Sequence, residues 1–597
     1  MGCGRDSCGV GRVPVRIAGM SLLPFGELAP YRPRRFLPAR VAWDDWSAIA
    51  PLLDRLEERL GRASTTAELE AWLLDWGELS AGLNEESSRR YIAMTCHTDD
   101  ADAEKAYLQF VEQIEPQLKP RQFVLEQKYL AHPVRSQLPV SRYGILDRFT
   151  AVHVELYRDE NVPLETEEAR LGQQYQKLSG SLSVVFRGEE KTLVQMGRYL
   201  EEPDRATREE AWQLVARRRL AERDAFDDQF DALLSLRHRI ARNAGFENYR
   251  DYAFKARGRF DYTPQDCAAF HDAIESEVVP LLRSLQEERR RQLELKTLRP
   301  WDLSVDPLNR PPLRPFETVE RLMEGSQVVF DRLNGELAEQ FRSMRSLQLL
   351  DLENRKGKAP GGYQSSLPEA RLPFIFMNAV GQQRDVETLM HEAGHAFHTM
   401  ATQGEELYAY REAPIEFCEV ASMSMELLGG EHLDAFYRPD EFRRARRDHL
   451  EGIVETFPWI ATVDAFQHWL YTHPEHSRTD RQQEWNRLMN RFGGDVDWTG
   501  WEESRAHSWH RQLHVFLYPF YYVEYGIAQI GALQVWMNSK KDRAAALAAY
   551  RKGLALGGSR RLPELFEQAG CRFAFDRDTL RPLAELLRRE MAALGGS

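Results

Sequence analysis

The chain has 597 residues, enough to bury a large core and to fill two subdomains. Hydrophobic residues make up 43% and charged residues 29%, ordinary values for a globular protein. The formal net charge of −13 argues against nucleic acid as a partner.

Residues 1–19 carry Arg5, Arg12 and Arg16 without a long apolar run, so they do not read as a secretory signal. Met20 is a more natural start, and 1–19 read as a disordered or over-called extension. The cysteines (Cys3, Cys8, Cys96, Cys267, Cys418, Cys571) are scattered, which fits a reducing cytoplasm better than a disulfide framework. Helical periodicity with few breakers runs over Trp43–Leu60, Thr66–Leu83, Ala101–Leu130, Pro203–Asn243, Pro264–Leu295 and Pro315–Phe341. A break at Glu202-Pro203-Asp204 would separate an N-terminal helical subdomain over 20–202 from a second region over 203–597. The basic runs Arg289–Arg291 and Arg443–Arg447 have acidic and helical neighbours and read as solvated helix faces. The fold class is mainly α, with a small β-sheet expected between about Leu347 and Asn378.

Chemistry concentrates beyond residue 355. Pro360-Gly361-Gly362-Tyr363 reads as a mobile turn, and Leu372–Asn378 as a short strand leading into Gly381. A strand beside an active centre can pair with an extended substrate backbone, which makes Gly361, Gly362 and Tyr363 candidate substrate contacts, and the alternative for Leu372–Asn378 is a plain buried strand. Asp385 then reads as the N-cap of a helix over Val386–Thr399. Val386, Leu389, Met390, Ala393, Ala396, Phe397 and Met400 give that helix an apolar surface. Thr388, His391, Glu392 and His395 fall on its other side.

His391 and His395 are four residues apart, so both imidazoles face one way, about one helical turn apart. This is the HExxH pattern that holds Zn²⁺, with Glu392 set to take a proton from a water the ion activates. Zinc needs a third ligand. His398 would crowd the same side of the ion and reads as a supporting or surface residue. Another zinc class places a glycine and then a third histidine at these positions; here they are His398 and Ala401, which disfavours that class. The better donor lies in Ala413–Gly430, a helix opened by Pro414 and closed by Gly429-Gly430. Glu416, Glu419, Met423 and Glu426 form one stripe on it, and a run of carboxylates among apolar neighbours makes sense facing a cation. The plainer alternative is an exposed acidic face.

Farther on, Pro519 suits the start of a helix that would carry Tyr518, Tyr522, Tyr525 and Gln529 on one face, preceded by His514. A phenol donates a hydrogen bond without carrying charge, which suits an oxyanion. The alternative is an aromatic core helix, the expected fate of Tyr521. Residues 513–537 are apolar, but His514, Pro519, Glu524, Gln529 and Gln534 argue against a membrane span.

His391-Glu-Ala-Gly-His-Ala-Phe-His398 followed by Glu416-Phe-Cys-Glu-Val-Ala-Ser-Met-Ser-Met-Glu-Leu-Leu428 resembles the oligoendopeptidase F and Pz-peptidase branch of the thimet oligopeptidase family. The resemblance is strongest over about 355–537. It implies a helical hollow ellipsoid with a deep substrate channel, one zinc ion per chain, and short unstructured peptides as substrates. It makes Glu419 the third ligand, with Glu416 one turn earlier as the fallback and Glu426 orienting a ligand histidine. It gives Tyr525, Tyr522 and His514 the oxyanion and substrate, with His510 as the alternative histidine and Tyr518 beside the substrate, and it implies pairing with the substrate backbone near Phe376 and Asn378. The implied activity is internal cleavage of peptides in the cytoplasm, with no membrane partner. Two rivals remain: a metallocarboxypeptidase or dipeptidase on the same scaffold, and a non-catalytic peptide-binding protein. A peptide blocked at both ends separates the first rival, and metal content separates the second.

Overall fold

The computed structural model describes residues 23–595, so residues 1–19, Met20, Cys3 and Cys8 lie outside it. Helices dominate, and the described strands form a two-stranded hairpin and one three-stranded sheet. Among the described residues no helix is long and apolar enough to cross a membrane. Cys96, Cys267, Cys418 and Cys571 are free thiols.

The chain forms two compact units. The first takes the chain up to Tyr143, then Pro315–Glu412 and Gly557–Ser559. Its helix Thr66–Cys96 opens on a capping box, Thr65 bonding the backbone of Glu68 and Glu68 returning to Thr65. The helix runs past the expected end at Leu83, and the four-residue pairs Glu85–Arg89 and Glu86–Arg90 are formed along it. In the sheet, Leu372–Ala379 is the central strand, parallel to Leu350–Glu353 and antiparallel to Tyr363–Leu367. Phe374, Ile375, Phe376 and Met377 are all buried, as a strand covered on both faces requires.

The second unit takes Gly144–Arg314, Ala413–Leu556 and the chain from Arg560 onward, so the break at 202–204 lies inside it. Its helix Ile415–Gly430 packs on Tyr522–Ser539. A side-chain carbon at Gly531 would lie 2.6 Å from Val420 Cγ2, so this close approach depends on glycine.

Several expected long helices are interrupted, with identifiable causes. Ala101–Leu130 and Pro264–Leu295 each contain a π-helical turn, Phe110–Ile114 and Ile274–Val278. Pro116 and Pro280 follow directly, and each lacks an N–H and crowds the carbonyl four residues back, which the wider turn accommodates. Pro315–Phe341 divides at Asn334, whose side chain caps the helix Gly335–Ser346.

Gly381 joins the central strand to the helix Gln383–Ala401. It has φ +86°, and a Cβ there would stand 2.9 Å from the Phe316 carbonyl oxygen. Gly381→Ala is therefore expected to cost about 1–3 kcal/mol of stability. Denaturant unfolding checks this; a loss below the error of the measurement would show that the turn tolerates a side chain.

Candidate active site

In the first unit, the helix Gln383–Ala401 begins three residues before the expected start. Gln382 is the N-cap, and Asp385 sits one turn in, its Oδ2 accepting from the backbone of Val380 and Gln382 at 2.8 Å each. Asp385 is thus the returning half of the cap and not the cap itself, because the chain turns at Gly381 earlier than the hydrophobic pattern indicates. The seven apolar positions named for this helix are all buried. His391 and His395 are half-buried, with ring centroids 4.9 Å apart and planes at 80°. Glu392 is buried, 7% exposed, and His398 is also buried, which removes its surface reading. Two imidazoles one turn apart on a helix anchored by a buried apolar face form a rigid pair of donors suited to one transition-metal ion.

The segment before this helix departs from expectation. Neighbouring strands flank Leu372–Ala379 on both sides, and Phe376 is paired with both Tyr363 and Asp351, so a substrate backbone cannot pair at Phe376. The Phe376 ring is buried and stacks on Tyr363, centroids 4.8 Å apart at 12°. Asn378 Nδ2 donates to the carbonyls of Ala359 and Gly361, at 2.7 and 2.9 Å, so its side chain holds the glycine turn. Gly362 leads into Tyr363, whose hydroxyl bonds Thr95 Oγ1 at 2.6 Å. Lys358 clamps the turn from below, donating to Asp351 and to the carbonyl of Glu353. The sheet's edge strands are Leu350–Glu353 and Tyr363–Leu367.

In the second unit, the helix Ile415–Gly430 begins after Pro414 and ends at Gly430, as expected. Its carboxylates have separate surroundings. Glu416 is buried and accepts from the Tyr262 hydroxyl at 2.7 Å. Glu426 is half-buried and lies 3.1 Å from His449 Nε2. Glu419 is buried, 5% exposed, and its Oε2 accepts from Ser422 Oγ at 3.0 Å. Glu419 also faces the tyrosines: burial first, then its charge, pushes Tyr525 up to about 12, and Tyr521 is raised as well. Glu524 on the adjacent helix bonds Arg259 Nη2 at 2.8 Å. Burial pushes Glu524 up to about 7, with Arg259 opposing and Glu416 adding to the rise.

The tyrosine block is not one continuous helix. A short helix Leu513–Leu517 ends at Tyr518, and a second begins at Tyr522. Pro519 lies in the break, and Phe520 adopts φ +65°. The Phe520 N–H donates to Gln467 Oε1 at 2.9 Å, and Arg257 Nε donates to the Pro519 carbonyl at 3.1 Å. Tyr518 therefore does not share the helical face and is exposed, 48%. Tyr521 is half-buried among the other rings and is not a core residue.

His514 sits at the centre of this group, with its ring 4.8 Å from Tyr522, 5.7 Å from Tyr521 and 6.1 Å from Tyr525. His510 is buried elsewhere, its Nε2 3.3 Å from Asp227 and its ring stacked on Phe226. Packing thus groups His514, and not His510, with the tyrosines.

The tautomer of His514 follows from two residues that sequence reasoning misses. Trp459 Nε1 can only donate, and it donates to Gln512 Oε1 at 3.0 Å. That orients the Gln512 amide so that Nε2 donates to His514 Nδ1 at 2.9 Å. The proton of a neutral ring then lies on Nε2, leaving a hydrogen-bond donor. Burial, and then Arg257, lowers the pKa of His514 to about 4. The only sequence signal for this relay is the proximity of Gln512 to His514; Trp459 lies on another helix.

The His514 ring nitrogens should titrate near pH 4 by ¹⁵N NMR, with the Nε2–H form above it. Gln512→Glu should raise the midpoint and move the proton to Nδ1, and a neutral native ring protonated on Nδ1 would exclude the relay. The unfolded chain binds this proton first, so the group costs stability as pH falls from about 6.5 towards 4.

The model for "Peptidase family M3" matches residues 198–585, and that for the "Peptidase M3 N-terminal domain" matches 36–144. Among curated relatives, Oligopeptidase PepF of Bacillus subtilis is 25% identical over 304 residues, 49% of this chain. Group B oligopeptidase PepB of Streptococcus agalactiae is 23% identical over 354 residues, 56% of this chain. The matches cover 43% and 58% of those relatives, about half the length of each. The solved structure of Pz peptidase A with an inhibitor is 27% identical, with TM-score 0.84, covering 94% of this chain and 99% of that one.

Proposed function

The chain belongs to peptidase family M3, and from that premise we propose that it is a zinc-dependent oligoendopeptidase that hydrolyses internal bonds of short, unstructured peptides. The observation that carries this reading is the HExxH helix: two imidazoles on one face, with Glu392 between them, in a chain of a peptidase family. His391, His395 and Glu419 are the proposed zinc ligands. Glu419 is preferred because Glu416 is engaged by Tyr262, whereas Glu419 lies by the tyrosines. Bound zinc would supply a Lewis acid that polarises the scissile carbonyl and acidifies water.

The protein's own groups do the rest. Glu392 takes the proton of the attacking water and passes it to the leaving amine. Tyr525, Tyr522 and the Nε2–H of His514 donate hydrogen bonds to the developing oxyanion. Each is neutral before reaction, so none is neutralised in the resting state by a nearby carboxylate. The edge strand Tyr363–Leu367 offers a backbone for the extended substrate to pair with, which favours peptides without fixed structure. Sparse free thiols support a cytoplasmic location.

A ten-residue peptide blocked at both ends tests the class of reaction. Internal cleavage that chelator stops and zinc restores is expected. Trimming of unblocked peptides alone would make the protein an exopeptidase, and zinc-loaded protein that cuts neither would make it a binding protein. Glu392→Gln should keep its zinc and lose nearly all turnover; substantial residual activity would remove Glu392 from its role. Tyr525→Phe should lower kcat by about 10²–10³ with little change in KM. A change confined to KM would make Tyr525 a binding residue only.

A further inference from the structure

The second unit contains another group of metal-binding side chains that the proposed reaction does not use. Cys267 and His271 lie on the helix Pro264–Ala273, and Asp464 and His468 on the helix Pro439–Thr472. Each pair is spaced by four residues, which puts both members on one helix face. The two faces meet. His271 Nε2 lies 2.8 Å from Asp464 Oδ2, His468 Nε2 lies 3.3 Å from the same oxygen, and the two rings are 5.9 Å apart. One donor atom each of Cys267, Asp464 and His468 lies within 4.8 Å of the other two.

Cys267 and Asp464 are 0% exposed. Asp464 Oδ1 is buried with no hydrogen-bond partner, and the buried His468 Nε2 has only its 3.3 Å approach to Asp464 Oδ2. Buried carboxylate oxygens and ring nitrogens normally find one, so this pair points to a missing ligand. We propose that Cys267, Asp464 and His468 bind a second divalent metal ion, zinc by its chemistry, separate from the proposed catalytic ion.

The donor set supports zinc in three ways. Thiolate with imidazole selects zinc over magnesium or calcium. Thiolate, carboxylate and neutral imidazole carry two negative charges, which balance a divalent cation in a buried place. A tetrahedral zinc shell holds its ligand atoms roughly 3.4–3.8 Å apart, so the present spacing needs only small side-chain rotations. His271 acts on the ion through Asp464, fixing the carboxylate with its ring N–H. Burial keeps substrates away, so the ion joins two helices and takes no part in hydrolysis. On binding, the Cys267 thiol gives its proton to solvent.

The test uses the full-length protein, purified without chelator, and reads metal content together with the spectrum after cobalt replacement. The proposed catalytic ligands contain no sulfur, so a sulfur-to-cobalt charge-transfer band reports the second site alone. Two equivalents of metal are expected in the native protein and one in the His391→Ala/His395→Ala variant, which should keep the band. Cys267→Ser should lose the band and one equivalent, and His468→Gln should lose one equivalent while folding normally by circular dichroism. A cobalt-loaded native protein without the band overturns the proposal, whether or not the enzyme cuts peptides. So does a band that survives Cys267→Ser.

Discussion

A charge removed from water must be matched by a partner, and this requirement arranges the second unit. Glu416 is matched by the Tyr262 hydroxyl, Glu524 by Arg259, and Asp227 by Arg481. Asp302 takes both Arg205 and Arg208. These pairings divide three carboxylates that look equivalent on the helix Ile415–Gly430. Glu416 faces a phenol inside its own unit, Glu426 lies against His449, and Glu419 lies near the tyrosines whose ionisation its charge opposes. A buried carboxylate beside neutral phenols is a natural partner for a cation, which is why Glu419 is the strongest candidate for the third ligand.

The same balance explains the break in the tyrosine block. Arg259 bonds both Glu524 and the Phe520 carbonyl, so the cation that matches the buried carboxylate also holds the turn. Gln467 fixes the Phe520 N–H from the other side. Phe520 can then keep its left-handed backbone, and the turn carries Tyr521 to His514 rather than into the core. Positioning of the rings is thus a consequence of tertiary hydrogen bonding, and helical periodicity alone misplaces Tyr518.

What can be read from the sequence follows the range of the interaction. The HExxH spacing, the apolar face beneath it and the Pro414-to-Gly430 helix are local, and periodicity and capping chemistry place them to within a few residues. The family M3 match spans residues 198–585, which takes in those local blocks. The sheet order is not local: nothing within Leu372–Asn378 reveals that strands flank it on both sides, so strand pattern alone does not locate the sheet's free edges. The choice between His514 and His510 is equally non-local. Both are histidines near aromatic residues, and only packing shows His510 beside Asp227 and Phe226. Lys358 and Trp459 give no pattern, because each acts through partners set by the folded chain.

Burial moves the proposed oxyanion donors in opposite directions to the same end. It raises the phenols of Tyr522 and Tyr525 and lowers the imidazole of His514, so each is driven to its neutral form. A neutral donor binds a carbonyl oxygen modestly and an oxyanion much more strongly, so its benefit grows as charge develops. A permanent cation in that position would pair with Glu419 or with a substrate carboxylate in the resting state. Arg257, the cation that acts on His514, is engaged by the Pro519 carbonyl and by Glu524. A donor set of this kind rewards a reacting carbonyl in mid-chain over a charged terminus. That preference adds to the HExxH helix, which carries the proposed function, a physical reason to propose a site that cuts inside peptides.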